Sequence, residues 1–308
     1  MAAAPGHAEG SPRLIAVVGT NASGKSALGV ELARRLGGEV VSADSRQVYR
    51  GLDLGSGKLT PAEMAGVRHH LIDVAGLDVV YSVADFQRDA YAAIDDIAAR
   101  ERTPLLVGGT GLYIDAVTEG YDLVGEAPDP ARRAWLNEQP TEILAGLLEA
   151  ADAGAAAAID ARNRRRLVRA VELAERGVSY SDTRRRSPRY AVLKLGLTWP
   201  REVLRERIAA RLDERLATGL VEEVRGLLAG GVAPERLDAL GLEYRFVLRH
   251  LDGTYATEDE LSEALGRAIA QFARRQMAWF RRDDEIRWLD ADGDYAGQAH
   301  TLARTFLG

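Results

Sequence analysis

The sequence predicts an α/β protein, a phosphate-loop type of parallel sheet with helices on both faces, interrupted by an all-helical insertion. Three observations carry this. An apolar run, Leu14 to Val18, leads into "GTNASGKS" (Gly19 to Ser26) and from there into a helical pattern. Strand-like and helix-like segments then alternate up to Tyr121, an order that yields a parallel sheet with ligands at the carboxyl ends of its strands. Beyond Tyr121 the alternation gives way to an alanine- and arginine-rich stretch, and strand character returns only in "YAVLKLGLTW", Tyr190 to Trp199. The expected division is a catalytic core at 13–120 and 190–308, a helical insertion at 121–189 and a disordered lead at 1–12.

Each element has a local reason. In "SALGVELARRLGG" (Ser26 to Gly38) apolar residues recur at helical spacing and stop at Gly37-Gly38. "EVVSAD" (Glu39 to Asp44) reads as the second strand and "HHLIDV" (His69 to Val74) as another. Ser82 opens the next helix, with Asp85 three residues on as its capping-box partner, and Pro104 begins the buried run "PLLVGGTGLY". After the insertion, "REVLRERIAARLDERLATGLVEEVRGLLAGG" and "ELSEALGRAIAQFARRQMAWFRR" give long amphipathic helices, and "IRWLD" a last strand.

Composition narrows the function. A chain of 308 residues with 46% hydrophobic and 28% charged content can bury a sizeable core. No run approaches the roughly 18 to 20 apolar residues of a membrane span, and "MAAAPGHAEGSP" lacks the pattern of a secretory leader, so a cytoplasmic protein without a membrane partner, acting as a monomer, is expected. The absence of cysteine excludes disulfides, thiolate metal sites and thiol nucleophiles. A net charge of −6 argues against a uniformly basic nucleic-acid coat. Among 40 basic residues only Lys25, Lys58 and Lys194 are lysines, so arginine clusters need a second argument while the lysines are informative.

Gly19, Gly24, Lys25 and Ser26 match G-x-x-x-x-G-K-[ST] between a strand and a helix. Such a loop curls the backbone N–H groups of Gly19, Thr20, Asn21, Ala22, Ser23 and Gly24 around phosphate oxygens. Lys25 adds a point charge, and the Ser26 hydroxyl can ligate Mg²⁺. Kinases, motor ATPases and group transferases share this loop, so the reaction must be read from what faces it. At the end of the second strand, in "SADSRQVYRGLDLGSGK", Asp44 can bind Mg²⁺ through water or accept a proton, or else be a turn residue or helix cap for the segment from Ser45. Thr110, after the two glycines of "LLVGGTGLY", offers a hydroxyl at another strand end.

"GTNASGKS", "SADSRQVYRGLDLGSGK", "HHLIDV", "YSVADFQRDA", "LLVGGTGLYIDAV" and "RRQMAWFRR", in this order, resemble the bacterial tRNA dimethylallyltransferases, also called tRNA isopentenyltransferases, over about Leu14 to Asp290. The resemblance implies transfer of the dimethylallyl group of dimethylallyl diphosphate to the N6 amine of the adenosine 3′-adjacent to the anticodon, in tRNAs reading codons that begin with U. The phosphate loop would then hold the diphosphate of the prenyl donor, although it commonly carries an ATP-binding label. By the same resemblance Asp44 is the general base and Thr110 the hydroxyl at the reacting amine. Ser45, Arg46 and Gln47 touch the target nucleotide, and Arg225, in "LVEEVRGL", reaches the diphosphate. Arg132 contacts tRNA, as does the helix Arg165, Arg166, Leu167, Val168 and Arg169. Two rivals share part of the pattern: an ATP-dependent small-molecule kinase, and a cytokinin-type transferase that prenylates free adenylate.

Weaker signals keep two readings each. "RNRRRLVR" can be a solvated face or a phosphate-binding helix, and "RRRSPR" (Arg184 to Arg189) a tRNA contact or a hinge. In "FARRQMAWFRR", Phe272, Met277, Trp279 and Phe280 are spaced for core packing, while Arg274, Arg275, Arg281 and Arg282 could line an RNA cleft. His69 and His70, adjacent on a strand, point to opposite faces and do not share a metal. The chain departs from the family pattern at "LGLEYR" (Leu240 to Arg245), where I-G-Y and a basic residue are usual, and at Ala270, where arginine is common.

Overall fold

The computed structural model describes residues 12–123, 129–180 and 182–308. Residues 1–11 of the expected disordered lead, and 124–128 and 181 within the insertion, lie outside them. The chain divides into two units, 1–118 with 189–308, and 119–188, so the insertion begins two residues and ends one residue earlier than expected.

In the first unit the elements before the insertion are β1 (Arg13–Val18), α1 (Lys25–Leu36), β2 (Glu39–Ser42), α2 (Pro61–Met64), β3 (His69–His70), α3 (Val83–Ala99), β4 (Pro104–Gly108) and α4 (Gly111–Thr118). The insertion supplies α5 (Pro130–Glu138), α6 (Thr141–Ala151), α7 (Ala153–Ala158) and α8 (Arg164–Ala174). The first unit resumes with β5 (Ala191–Thr198), α9 (Arg201–Thr218), α10 (Leu220–Ala229), α11 (Pro234–Leu240), α12 (Leu242–Leu251), α13 (Glu258–Phe280), β6 (Arg287–Asp290) and α14 (Tyr295–Leu307).

Among the described residues six strands form one parallel sheet, in the order β3-β2-β4-β1-β5-β6. β1 is buried from Leu14 to Val18 because both faces are covered, which is why it reads as an unbroken apolar run. Leu28, Leu32, Ala299 and Ala303 of α1 and α14 pack one face; Phe86, Ile94, Ile114 and Phe280 of α3, α4 and α13 pack the other. A third core joins α9 to α13 with Val48, Tyr49 and Leu52 after β2. Ser82 and Asp85 form the expected reciprocal cap of α3.

"HHLIDV" is a strand only at its two histidines. Leu71 and Asp73 take φ of 62° and 58°, which ends the ladder, and the chain turns back so that Asp73 N–H donates to the Gln47 carbonyl. The histidines bind separately: His69 Nδ1 meets the Val67 carbonyl at 2.9 Å and His70 Nε2 meets Glu39 at 2.7 Å.

Phe280 is buried and Trp279 packs beside it, donating its indole N–H to Asp115 at 2.9 Å, as core spacing predicts. In "RRRSPR", Arg185 pairs with Asp182 and Arg186 with Glu119 inside the insertion, while Arg189 pairs with Asp95 inside the first unit. In the segments that depart from the family pattern, Leu240 and Tyr244 are buried and Ala270 packs against the same cluster, while Glu243 between them lines the cleft described below.

Candidate active site

The phosphate loop spans from the end of β1 to the start of α1. Gly24 caps α1 with φ 91°, a conformation that side chains avoid and glycine adopts freely. Thr20 and Ser23 are buried, and Lys25, 9% exposed, donates from Nζ to the Thr20 carbonyl at 3.2 Å. Three side chains from elsewhere brace the loop. Trp199 Nε1 donates to the Ser23 carbonyl at 2.8 Å, and Arg207 Nε to the Ala22 carbonyl at 2.9 Å with its guanidinium 4.4 Å above the Trp199 ring. Gln276 Oε1 accepts from the Asn21 N–H at 2.9 Å.

Two further strand ends face this loop. After β2, Asp44 Oδ1 accepts from the Arg46 N–H at 2.9 Å, so the turn role is real; the carboxylate also lines the cleft with Lys25 and Ser26. After β4, Thr110 Oγ1 accepts from the Ser45 N–H at 3.1 Å, and Thr110 N–H donates to the Ala43 carbonyl at 3.2 Å. These bonds tie the two acceptor-side loops together. Gln47 accepts from Ser42 Oγ at 2.8 Å and donates to the Gly57 carbonyl at 3.2 Å, which holds its amide at the cleft wall. Ser45 and Arg46 stand half-buried beside it.

Arg225 lies elsewhere. It is exposed on α10, paired with Glu222 at 3.0 Å, and lines no part of the cleft. Arg211 and Arg215 of α9 line it instead, with Glu243 3.5 Å from Arg215. Gly57, at φ 64°, leaves the space the Arg215 guanidinium occupies, which accounts for the glycine in "DLGSGK". Lys58, beside it, is a latch: its Nζ meets Asp53, Asp73 and the Tyr49 carbonyl. Arg207, Arg211 and Arg215 recur every four residues in "RIAARLDER", a one-face helical spacing that carried the signal. The arginine-rich composition hid it.

Burial lowers the Lys25 ammonium to about 8, with Asp44 opposing that shift and Arg211 and Arg215 adding to it. Burial likewise lowers Arg211 to about 10 and raises the Glu243 carboxyl. Three cations converge where two carboxylates face them, an arrangement that suits a polyanion. A bound diphosphate favours protonated Lys25. The affinity of a diphosphate ester such as dimethylallyl diphosphate, which has lost its last proton by about pH 7, is therefore expected to stay level between about pH 7 and 8 and to fall by up to tenfold per pH unit between about 8 and 9.5. Calorimetric titration of dimethylallyl diphosphate without tRNA across that range checks this; constant affinity would remove Lys25 from the anion site. Val107, Ile208, Leu212 and Ile269 add apolar lining to the same cleft, which fits a short hydrocarbon beside the anion. Ser26 and Asp44 offer hard oxygen donors of the kind Mg²⁺ takes.

In the insertion, Leu167 and Val168 are 2% and 4% exposed in a core with Leu136, Leu144 and Val171, so they are packing residues and do not contact RNA. Arg169 is half-buried, its guanidinium 3.7 Å from the buried Glu172 that Arg133 also neutralises at 2.6 Å. Arg132 pairs with Glu175 and lies 4.2 Å over the Trp135 ring. Arg165 and Arg166 are exposed and carry no ion pair among the described residues. Reversing both charges (Arg165→Glu, Arg166→Glu) should weaken tRNA binding about tenfold or more and lower the slope of log affinity against log salt by about 2. An unchanged salt slope would return these arginines to a solvated face.

A parallel sheet whose carboxyl edge sets an anion cradle against a carboxylate defines the chain as a phosphate-loop α/β protein. Within that class the chain belongs to the IPP transferase family, whose sequence profile matches residues 47–283. It is 47% identical over 290 residues to tRNA dimethylallyltransferase 2 of Shewanella sediminis, covering 93% of this chain and 96% of that one. Among solved structures it is similar to the tRNA isopentenylpyrophosphate transferase of Bacillus halodurans, with a TM-score of 0.73 and 37% identity over 96% of both chains. A eukaryotic dimethylallyltransferase acting on tRNA, 22% identical, shares the fold with a TM-score of 0.82 over 96% of this chain and 80% of that one. The profile begins after the phosphate loop and Asp44, whereas the Shewanella and Bacillus proteins match nearly the whole chain.

Proposed function

We propose that this enzyme transfers the dimethylallyl group of dimethylallyl diphosphate to the N6 amine of the adenosine 3′-adjacent to the anticodon, in tRNAs reading codons that begin with U, and releases diphosphate. The observation that carries it is one cleft lined by Asp44 together with Lys25, Arg211 and Arg215. An adenine amine is a weak nucleophile because its lone pair is delocalised, so Asp44 accepts its proton as the carbon–nitrogen bond forms. Negative charge grows on the departing diphosphate, where Lys25, the two arginines and the N-terminus of α1 stabilise it. Ser26 would hold Mg²⁺, which when bound supplies further charge neutralisation at the diphosphate and leaves the Asp44 carboxylate free to take the proton.

The target base cannot reach this cleft while stacked in the anticodon loop and must be flipped out. Thr110, Ser45, Arg46 and Gln47 offer polar contacts to its edge, and Arg132, Arg165 and Arg166 offer phosphate contacts to the stem-loop. No helix among the described residues is long and apolar enough to cross a membrane. Incubation with Mg²⁺, labelled dimethylallyl diphosphate and tRNA should label the tRNA without ATP. ATP consumption with no demand for tRNA would select the kinase.

A further inference from the structure

Gln276 is 7% exposed near the end of α13, between the donor-side and acceptor-side loops of the cleft. Its Oε1 accepts from the Asn21 N–H of the phosphate loop at 2.9 Å, and its Nε2 donates to the carbonyl of Gly109, next to Thr110, at 2.8 Å. A primary amide has one accepting and one donating end, so these two partners fix its orientation. Among the described residues no other side chain hydrogen-bonds to both loops.

The fit is close. A Cβ on Gly109 would stand 2.7 Å from Gln276 Nε2 and 3.3 Å from the Lys25 Cε, so the acceptor loop, the amide and the lysine stem are in direct contact. One turn further on, Trp279 occupies the space left by Gly111. The end of α13 thus grips the "GGTG" segment at two points and the phosphate loop at one.

The geometry points to Gln276 as a positioning residue that fixes the spacing between leaving group and nucleophile, an inference resting on the proposed prenyl transfer. In that reaction the carbon–oxygen bond to diphosphate breaks as the carbon–nitrogen bond to adenine forms. The diphosphate leaves with the bonding pair, and the amine proton passes to Asp44. Both ends must be held in line, and a misplacement of about 1 Å costs on the order of a hundredfold in rate. Asn21 belongs to the loop that holds the leaving group, and Gly109 to the loop that holds the nucleophile. A rigid amide between them transmits one loop's position to the other.

Two substitutions test this from the helix and one from the loop. Gln276→Glu keeps the acceptor for Asn21 but sets a carboxylate oxygen against the Gly109 carbonyl, and Gln276→Met keeps the length and loses both bonds. Gly109→Ala presses on the same contact from the other side. With active sites counted by diphosphate binding, each should lower kcat for prenyl transfer to an anticodon stem-loop by about 10- to 100-fold; the two Gln276 variants should keep diphosphate and stem-loop Kd within about threefold of the parent, while Gly109→Ala, whose Cβ also meets the Gly19 carbonyl and the Lys25 stem, is read on kcat alone. The role is overturned by unchanged kcat in the folded variants, by a rate loss that follows weakened diphosphate binding, or by wild-type kcat in Gly109→Ala where the Gln276 variants fail to fold. A parent enzyme that transfers no prenyl group would instead overturn the proposed function.

Discussion

Replacing Asp44 with Asn will lower turnover by about 10² to 10⁴ while leaving tRNA affinity within about threefold. The substitution isolates proton acceptance, because an asparagine Oδ1 still accepts from the Arg46 N–H and preserves the turn after β2. What disappears is the negative charge at the cleft wall. The same charge raises the pKa of Lys25, so the variant has a second signature: the fall in diphosphate affinity above pH 8 should begin at lower pH. Single-turnover rates with tRNA saturating, together with binding titrations at several pH values, measure both. A rate equal to the parent's would remove Asp44 as the base.

Lys25→Met should slow transfer by about 10² to 10³, from loss of the cation that stabilises the leaving diphosphate. Methionine fills much of the lysine stem's space and loses only the ammonium and its bond to the Thr20 carbonyl, so the cradle should survive. Diphosphate affinity at pH 7 should fall too, and its decline between pH 8 and 9.5 should vanish. Persistence of that decline in the variant would assign the titration to another group, and Arg211, lowered to about 10, is the next candidate.

What was legible in the sequence is what local pattern determines. β1, the phosphate loop and α1 follow one another with every functional atom supplied within eight residues, Gly19 to Ser26. Asp44 and Thr110 were legible because a strand end fixes which sheet edge a residue occupies. Arg211, Arg215 and Gln276 depend on how α9 and α13 are laid against that edge, and nothing in their own segments says which loop they will meet. Arg225, expected at the diphosphate, and Arg215 both lie on amphipathic helices, and only packing sets one in solvent and the other at the cleft. Leu167 and Val168 could have been separated from Arg165 and Arg166, because with Ala170 and Val171 they form the apolar stripe of α8. The shortened strand at His69 turns on two residues with positive φ, which their identities do not announce.

The acceptor is the centre of the account, because the same cleft could prenylate a free nucleotide. The decisive measurement is the destination of labelled dimethylallyl groups when tRNA and AMP are offered together with Mg²⁺ and no ATP. The account predicts label on N6 of the adenosine 3′-adjacent to the anticodon, located by nuclease digestion and mass spectrometry, with AMP unmodified. Label on AMP with none on tRNA would contradict it.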